Sequence, residues 1–595
     1  MQPRRSLQLI ACAFSLVLAV ALAPQRAAAL ESPTSDKAAW LYKENSTSRV
    51  DLLLEPASVE ALTYGDPYSY VPATFTLERG SRTYGPWPVT VKLKGRYGSW
   101  RPLFSKSGFK IKFPNPQQRI AGVAKLTLNN NVQDGSFLHQ ALAYELFRAM
   151  GVPASRTSFA TVTVNGQEQG IYSNIETLDD VSLAKRFGAL GTQHLYEGNY
   201  GGWWGDPNDP MSGHYEVDEG SSSNRDDLAA LIAVGLEGGD VWYDHFLSIT
   251  DADEMIAFWA VERYLAHWDG YSGPVYNNYY LHSDASGRFT LLPWGTDQTF
   301  NGPGSYSPQW TNNNIFEFTG GPLFNLCIQH PVCVGRYIDA LRAVREKVDE
   351  IGLPAQADTL YDLLSVEEEI ARTIGIGDWP YWEKEGIKSF LAQRTIDVAV
   401  WLPTPPPPPE GLTVQPRDRA LMISWSDMTL TEGTLNGFRV HYRRESGPWQ
   451  HADLFDPEAT RMRVADLRNG DAYRVRVSAI TSNGSSAQSE TLRGVVGAPA
   501  HVLDAAASRR TGGNAIRVAW SPPGYLGSAR PLYEVQYRRD GESLWRSLSY
   551  DASLPIGGTY QVLIRGLSPV HQYAVRVRAK NVFGAAPWVR MTVAP

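Results

Sequence analysis

The chain has 595 residues, a length that predicts about four domains at roughly 150 residues each. Hydrophobic residues make up 43% and charged residues 20%, with 18 Trp, so extensive disorder is excluded and a sizeable core is available. The net charge of -7 and the lack of a long basic run argue against sequence-independent nucleic-acid binding, and we expect no nucleic-acid partner.

The N-terminus has the pattern of a secretory signal peptide over residues 1–29. Two Arg precede an apolar stretch of 16 residues from Leu7 to Leu22, and small residues lead to a cleavage position after Ala29. An uncleaved membrane anchor is the alternative, but a spanning helix needs roughly 20 residues. We therefore expect no transmembrane anchor and a protein secreted to the periplasm, the cell surface or the medium. Export by the Sec or the twin-arginine route stays open.

Residues 37–400 mix strand and helix patterns. Alternation with period 2 predicts paired strands in WPVTVKLKGRYGSW, KSGFKIKF and AKLTLNNN. The next segment, SFLHQALAYELFRAMG, has apolar residues at helical spacing, with Gly151 as its stop signal. A hairpin with Asn165-Gly166 at its turn follows. Helices come next, and Asp251 is placed to cap the last of them, DADEMIAFWAVERYLAHW.

A second hairpin follows that last helix. Tyr279 to His282 and Arg288 to Trp294 are strand-like runs, and SDASG between them is a turn signal. A hairpin brings its two outer ends together, because antiparallel partners lie about 4.8 Å apart. The residues just outside these two runs should therefore be neighbours.

Three oxygen-bearing side chains should meet at that end of the hairpin. Asn278 precedes the first strand, Asp297 follows the second, and Asp269 lies on the loop just upstream. Two carboxylates and an amide that converge without an adjacent Lys or Arg suit a hard cation such as Mg²⁺ or Ca²⁺. The alternative is that each one is an ordinary turn residue that bonds its own backbone.

The segment CIQHPVC holds the two cysteines that would remain after signal cleavage. In an oxidising compartment, Cys327 and Cys333 form a possible disulfide that closes a small loop. Two buried thiols are the alternative. Zinc is disfavoured because His330 is the one further ligand of the right type close by.

A proline-rich linker at residues 401–409 divides the chain. Its five consecutive Pro residues predict a stiff polyproline II spacer. Beyond it, residues 410–497 and 498–595 repeat one pattern of short alternating strands. The recurring residues are Trp425, Tyr442, Leu467 and Tyr473 in the first copy and Trp520, Tyr537, Leu567 and Tyr573 in the second.

Both copies resemble fibronectin type III domains. The resemblance covers nearly all of residues 410–595 and implies two all-β, immunoglobulin-like sandwiches. Such modules serve as spacers or adhesion modules, so the expected partner is a surface polysaccharide or a surface protein. Neither copy carries a catalytic constellation.

The block before the linker resembles the CotH kinase family. The stretches that carry the resemblance are KLKGRYGSW, KSGFKIKF, LTLNNNVQDGSFLHQALAYELFRAMGVPASRT, VTVNGQEQGIYSNIETLDD, NNYYL and LPWGTDQTF, which span roughly residues 45–395 in the family's order. Phosphate-loop, zinc-protease and serine-hydrolase motifs are missing from the sequence. The resemblance implies a multidomain protein that begins with an α+β, atypical protein-kinase-like bilobal domain.

The family resemblance also implies a chemistry and its site. A secreted atypical kinase would transfer the γ-phosphate of ATP to Ser or Thr of exported or surface proteins, with Mg²⁺ or Mn²⁺ as cofactor. Asp269 matches the family's catalytic Asp, and Asn278 and Asp297 match its metal ligands.

Candidates for binding the nucleotide come from two further segments. Lys106, Lys110 and Lys112 lie in KSGFKIKF, where period 2 places Lys110 and Lys112 on one strand face. A solvated strand edge is the alternative for each lysine. Glu176 matches a family Glu at the connection between lobes, and Glu145 on the helix is a candidate to pair with a lysine.

One position departs from the family pattern. Where the family has Trp-Asp-x-Asp, this chain has Trp294, Gly295, Thr296 and Asp297. The missing carboxylate keeps a second function open, that of a non-catalytic pseudokinase acting as a surface-binding or adhesion protein. The remaining site residues favour the kinase.

Overall fold

The computed structural model describes residues 36–96, 98–198, 215–275, 277–300, 314–317, 320–365, 379–548 and 558–595. The predicted signal peptide lies outside these ranges. Within them, no helix is both long enough and apolar enough to span a membrane. The described chain forms an α/β region followed by two β-sandwiches.

Seven strands form a closed barrel at the start of the α/β region: β1 Thr47–Leu53, β2 Val71–Arg79, β3 Arg82–Lys94, β4 Gly108–Lys112, β5 Lys125–Asn129, β6 Thr157–Val164 and β7 Gln167–Glu176. Their order is β1-β2-β3-β4-β5-β7-β6, and the ring closes because β6 pairs with β1 in parallel. Every second residue of β2 from Val71 to Leu77 is buried, since alternate side chains of a strand point to opposite faces. The barrel therefore has its own hydrophobic core.

The helices are α1 Pro56–Tyr64, α2 His139–Ala149, α3 Asp180–Phe187, α4 Asp226–Val234, α5 Gly239–Ile249, α6 Ala252–Tyr264, α7 Pro322–Gln329, α8 Pro331–Glu350, α9 Leu353–Ser365 and α10 Trp379–Trp401. Helix α2 crosses from β5 to β6, and most of its side chains are buried. At its start, the Asp134 carboxylate accepts hydrogen bonds from the backbone N–H groups of Ser136 and His139. The bond to His139, the first residue of α2, satisfies an amide group that a helix start leaves unpaired.

A second core surrounds α2 and α6. It lies against a four-stranded sheet of order β11-β10-β8-β9, with β8 His194–Gly198, β9 Tyr215–Glu219, β10 Tyr279–Ser283 and β11 Phe289–Pro293. Helix α6 is buried from Met255 to Tyr264, and its Trp259 stacks on Phe246 and on Tyr271. The Asp251 side chain caps α6 by accepting from the Glu254 N–H at 3.3 Å, which confirms the predicted cap.

The β10–β11 hairpin confirms the second predicted hairpin. Its register pairs Tyr279 with Pro293 at the open end and Ser283 with Phe289 beside the turn. The turn contains Gly287 at φ +79°, a left-handed conformation that glycine adopts at no steric cost. Beyond this sheet, the disulfide between Cys327 and Cys333 joins α7 to α8, with the two Cα atoms 5.0 Å apart.

Two sandwiches complete the chain. The first consists of β12 Thr413–Arg417, β13 Ala420–Ser424, β14 Leu435–Arg444, β15 Gln450–Leu454, β16 Arg461–Val464, β17 Ala472–Thr481, β18 Gly484–Ser485 and β19 Leu492–Val495. The second consists of β20 Leu503–Arg509, β21 Ala515–Ser521, β22 Leu532–Arg539, β23 Arg546–Ser547, β24 Tyr560–Arg565, β25 Tyr573–Asn581, β26 Gly584–Ala585 and β27 Val589–Val593. Each has a three-stranded sheet facing a five-stranded one, with Trp425 and Trp520 in the respective cores.

The first sandwich packs directly on α8. Asp339 accepts two contacts from the backbone N–H of Ser485, at 2.9 and 2.8 Å. Arg342 donates to the backbone carbonyls of Asn483 and Pro403 at 3.0 and 2.7 Å. Gly335 approaches the strand so closely that a Cβ there would lie 1.9 Å from the Thr481 carbonyl oxygen. The proline-rich linker thus does not hold the sandwich away from the α/β region, as a stiff spacer would.

Candidate active site

A cavity of about 710 Å³ lies between the barrel and the open end of the β10–β11 hairpin. The barrel contributes lysine side chains and the loop after β3, and the other wall contributes the loop after α6 and the turn after β11. The polar and charged side chains that line it include Lys92, Lys94, Lys110, Asp269, Asn278 and Asp297. The structure therefore brings the three predicted hairpin residues and one predicted lysine, Lys110, to one cavity.

Asp269 is held by groups at the C-terminal end of α6. The buried His267 places its Nε2 3.1 Å from Asp269 Oδ1 and its Nδ1 3.4 Å from a Glu262 carboxylate oxygen. Glu262 also accepts from the backbone N–H groups of Tyr271 and Ser272, at 3.0 and 2.7 Å, which folds the loop back on the helix.

The environment of His267 keeps it charged. Burial lowers its pKa, but the Asp269 and Glu262 carboxylates outweigh burial and raise the pKa to about 10. A protonated imidazole therefore places a positive charge 3.1 Å from the Asp269 carboxylate. The sequence signal that could have revealed this residue is the short spacing between His267 and Asp269.

Asn278 joins the loop to the hairpin. Its Nδ2 donates to Asp269 Oδ2 at 2.7 Å, and its backbone adopts φ +51°. Because Nδ2 is engaged in this way, Oδ1 points toward Gly295, where a Cβ would lie 2.6 Å from it. The glycine that departs from the family pattern thus leaves space beside an amide oxygen.

Asp297 lies on the short turn Thr296–Gln298 after β11, and α2 fixes that turn. His139 Nδ1 donates to the Asp297 carbonyl at 2.8 Å, while the His139 backbone N–H bonds to Asp134. Burial and the nearby Asp269 charge raise the pKa of Asp297 to about 6, while Lys94 acts in the opposite direction. The two carboxylates therefore interact electrostatically, as the hairpin geometry predicted.

Lys94 is the cation that lowers the pKa of Asp297. The sequence did not single out this residue. Its Nζ donates to Asn129 Oδ1 at 2.9 Å, and Asn129 Nδ2 in turn donates to Gln140 Oε1 on α2 at 2.8 Å. Burial and Lys110 lower the pKa of Lys94, against the Asp297 and Glu197 charges, to about 8. The sequence signal was the alternation KLK at the end of β3, which puts Lys92 and Lys94 on one strand face.

Two of the predicted lysines lie away from the cavity. Lys106 is buried with its Nζ 4.5 Å from the centre of the Phe137 ring, and burial lowers its pKa to about 7 against the Asp134 charge. Lys112 ends β4 with its side chain exposed. Lys110, one strand period earlier, pairs in register with Lys92 and lines the cavity wall.

Glu176 is also outside the cavity lining. It is buried in an ion-pair triad with Arg156 and Arg186, both with contacts of 2.5 Å. Burial would raise its pKa, but the two guanidinium groups lower it to about 2. Glu145 pairs with Arg148 at 2.6 Å and not with a lysine.

The oxygen donors at the hairpin end fit a magnesium ion. The described residues contain no cluster of three His, Cys, Asp or Glu side chains that would bind a metal by themselves. Asp297 offers a buried carboxylate and Asn278 an amide oxygen beside the empty Cβ position of Gly295. A site with one or two carboxylates, whose remaining ligands come from water and phosphate, is the usual protein site for Mg²⁺.

Comparison with known proteins gives the domains their names. Residues 93–380 match the family model of the CotH kinase protein, and residues 407–495 and 500–593 match the fibronectin type III domain. The chain carries a CotH domain followed by two fibronectin type III domains. The predicted resemblance is thereby confirmed, and all residues that line the cavity except Tyr68 and Lys92 lie within the matched range.

Three relatives illustrate the similarity. Inner spore coat protein H of Bacillus subtilis is 25% identical over 210 residues, which are 33% of this chain and 55% of that protein. An inner spore coat protein H-like protein of the same organism is 37% identical over 76 residues, 13% of this chain and 24% of the relative. A two-domain fibronectin type III segment from chicken tenascin is 18% identical, covering 32% of this chain and 99% of that one, with a TM-score of 0.16. The chain thus spans about half or less of the two spore coat proteins.

Proposed function

We propose that the CotH domain is a secreted atypical protein kinase that transfers the γ-phosphate of ATP to Ser or Thr of exported or surface proteins. The observation that carries this proposal is the convergence of Asp269, Asn278, Asp297 and Lys94 on one cavity. Catalysis of phosphoryl transfer depends more on positioned charges than on covalent chemistry by the protein. These four side chains supply such charges.

The fold supports a bilobal, kinase-like interpretation. The barrel and the α2–α6 region have separate hydrophobic cores, and the cavity lies between them. Its volume of about 710 Å³ falls within the usual range of small-molecule sites, about 300–1,000 Å³. In this proposal, ATP binds between the two parts with its phosphates toward the hairpin end.

Asp269 acts as the group that orients the attacking hydroxyl and accepts its proton. The Asn278 amide and the charged His267 hold its carboxylate from two sides, at 2.7 and 3.1 Å. Both contacts fix the direction of the carboxylate, and a general base must lie within hydrogen-bond reach of the proton that it accepts.

Lys94 supplies positive charge to the phosphates, with Lys110 beside it on the neighbouring strand. A pKa of about 8 leaves Lys94 mostly protonated at neutral pH. The Asn129 and Gln140 side chains fix its position against α2, so the barrel and the helix act together on this residue.

Asp297 and Asn278 Oδ1 would hold Mg²⁺, or Mn²⁺ in its place. When bound, this ion neutralises charge on the transferred phosphate. The residues themselves contribute a carboxylate fixed by the His139 bond to its backbone and an amide fixed by its bond to Asp269.

The test is phosphate transfer from γ-labelled ATP to a mixture of Ser- and Thr-containing peptides. Asp269→Asn and Asp297→Asn, made singly, should each reduce transfer by about 100-fold or more, because general base catalysis contributes about 10²–10⁴-fold. Asp284→Asn is the matched control, since Asp284 lies at the opposite, turn end of the same hairpin. Equal activity in all three variants would refute the proposal.

A pseudokinase that binds a surface is the second candidate, and Gly295 favours it by removing a family carboxylate. Thermal unfolding separates the two. ATP with Mg²⁺ at one hundred times its dissociation constant should add about 2.7 kcal/mol of stability to the kinase. A pseudokinase that has lost the nucleotide gains nothing, and its function rests on the fibronectin type III domains.

A further inference from the structure

The second sandwich has a charge unlike the rest of the chain. Residues 498–595 contain 12 Lys and Arg against 5 Asp and Glu, whereas the full chain has a net charge of -7. Residues 410–497 contain 11 of each sign. The two sandwiches share a fold but differ in charge, so the excess does not follow from the fold.

Much of this positive charge lies on one sheet face. In β22, β25 and β27, the inward positions hold buried residues such as Val535, Val575 and Val577, and the positions between them face outward. Register pairs Arg576 with Arg590 across β25 and β27. We call the outward set the basic face, and it consists of Arg538, Arg576, Arg578, Lys580 and Arg590.

Indole rings hold the guanidinium groups of the basic face in place. Trp545 has Arg538 and Arg576 over its ring at 4.8 and 4.0 Å, and Trp588 has Arg576 and Arg578 at 4.3 and 4.2 Å. Cation–π contacts of this kind keep an arginine ordered while its charge is retained. The result is a fixed row of alternating guanidinium and indole groups.

The charges of the row repel one another. Burial lowers the pKa of Arg576, and Arg590, Arg578 and Arg538 lower it further. The acidic side chain on the described part of this face is Glu534, which pairs with Arg578 at 2.6 Å and with Lys580. With five cations and one carboxylate, the basic face has a net positive charge that a bound anion would neutralise.

The first sandwich has the same fold but no excess of positive charge. Trp449 again carries two arginines over its ring, Arg443 at 4.8 Å and Arg476 at 3.9 Å. There, however, Arg439 pairs with Asp453 at 2.6 Å, and Glu445 pairs with two further arginines. The stacked row is therefore common to both sandwiches, while the uncompensated charge belongs to the second.

We propose that the basic face binds an acidic polysaccharide, and that the arginines of the face contact the carboxylate groups of the polymer. The arginine forks match carboxylates in bidentate geometry, and a flat sheet suits an extended polymer with repeated charges. Each indole ring already has two arginines over it, and these compete with a nucleobase for stacking on the ring. A flat sheet also differs from the helix or ribbon that enters a groove of duplex DNA.

The test measures binding of the full chain to polygalacturonate at low salt. Lys580→Gln with Arg590→Gln removes two charges from the basic face without replacing a member of the stacked row, and should weaken binding about tenfold. Arg517→Gln with Arg565→Gln is the matched control, since both residues are exposed on the opposite, three-stranded sheet. The control should bind within about twofold of the wild type, and added salt should weaken binding of every variant.

Several results would overturn the proposal. These are lack of binding to polygalacturonate, equal loss in both double variants, equal binding of neutral dextran, or tighter binding of duplex DNA than of polygalacturonate. The melting temperature of each variant is measured first, and the single variant Arg590→Gln, at an exposed position, repeats the test with the smallest change. A loss in this variant that exceeds that of Arg517→Gln supports the basic face.

Discussion

Asn278 donates from its Nδ2 to the Asp269 carboxylate at 2.7 Å, and the same amide turns its Oδ1 toward the bare Cα of Gly295. One side chain thus connects the loop after α6 to the turn after β11. A hydrogen bond to a charged group contributes about 1.5–3 kcal/mol, enough to fix the orientation of the amide. The glycine at 295 is therefore matched to the position of Asn278.

Gly295→Ala should destabilise the protein and displace Asn278. The backbone at Gly295 has φ +53°, which costs a residue with a Cβ about 1 kcal/mol, and that Cβ would lie 2.6 Å from Asn278 Oδ1. We expect the free energy of unfolding to fall by about 2 kcal/mol, measured by urea denaturation.

Gly287→Ala is the control for that experiment. Gly287 has φ +79° in the same hairpin, but a Cβ there has no neighbour within 4 Å. It should show the backbone cost alone, about 1 kcal/mol. Equal losses in the two variants would show that contact with Asn278 adds nothing.

Lys94→Met should abolish the stabilisation that ATP with Mg²⁺ gives. Lys94 lines the cavity and its charge acts on Asp297, so the variant loses the main cation proposed for the phosphates. We expect the gain of about 2.7 kcal/mol at one hundred times the dissociation constant to fall below about 1 kcal/mol at the same ligand concentration. Differential scanning fluorimetry with and without nucleotide gives the values.

Two other lysines provide the comparison. Lys112→Met, at an exposed position on β4, should keep the full nucleotide effect. Lys106→Met alters a buried group against Phe137 and should change the stability of the free protein more than its response to ATP. If Lys106→Met lost the response and Lys94→Met kept it, the assignment made from the cavity would be wrong.

Short-range patterns predicted the parts of the fold that depend on neighbouring residues. The β10–β11 hairpin follows from strand runs on both sides of a glycine turn, and the helix cap at Asp251 follows from its place before an apolar period. The meeting of Asn278 and Asp297 at one cavity follows from the hairpin geometry. Each of these relations spans fewer than about 20 residues of sequence.

Relations between distant segments were harder to predict. Whether Lys94 or Lys106 faces the cavity depends on how the barrel closes, which joins β1 to β6 across more than a hundred residues. Glu176 is 20 residues from Arg156 and 10 from Arg186 along the chain, but its pairing with them depends on how α3 and the start of β6 pack beside β7. Its sequence neighbourhood gives no sign of that triad.

Glu176→Gln should destabilise the protein at neutral pH by about 2–3 kcal/mol, because it removes the anion of the partly buried Arg186 and leaves Arg156 with Asp36 alone. The pH dependence has a definite sign. Burial opposes ionisation of Glu176, but Arg186 and Arg156 lower its folded pKa to about 2, from an ordinary value of 4.5. Its stabilisation is complete above about pH 4.5 and is lost as the pH falls toward 2. The difference between wild type and variant should shrink across that window.

Glu168→Gln is the control on the same strand. Glu168 pairs with Arg49 at 2.9 Å, but its side chain is 37% exposed, so the loss should be below about 1 kcal/mol. Unfolding in guanidinium chloride at several pH values measures both variants. A pH-independent deficit for Glu176→Gln would contradict the ion-pair explanation.

Asp339→Ala should release the first sandwich from the α/β region. The Asp339 carboxylate receives the Ser485 N–H at 2.8–2.9 Å and also pairs with Arg342 at 3.0 Å, so the substitution removes a charged acceptor at the centre of the contact with α8. Removal of a charge-assisted acceptor costs about 1.5–3 kcal/mol, and the proline-rich linker would then be the main connection. We expect a larger maximum dimension in small-angle X-ray scattering and faster proteolysis between the two domains.

Glu346→Ala, at an exposed position of the same helix, should leave both measurements unchanged. An unchanged scattering profile for Asp339→Ala would mean that the apolar and backbone contacts around Gly335 hold the sandwich by themselves.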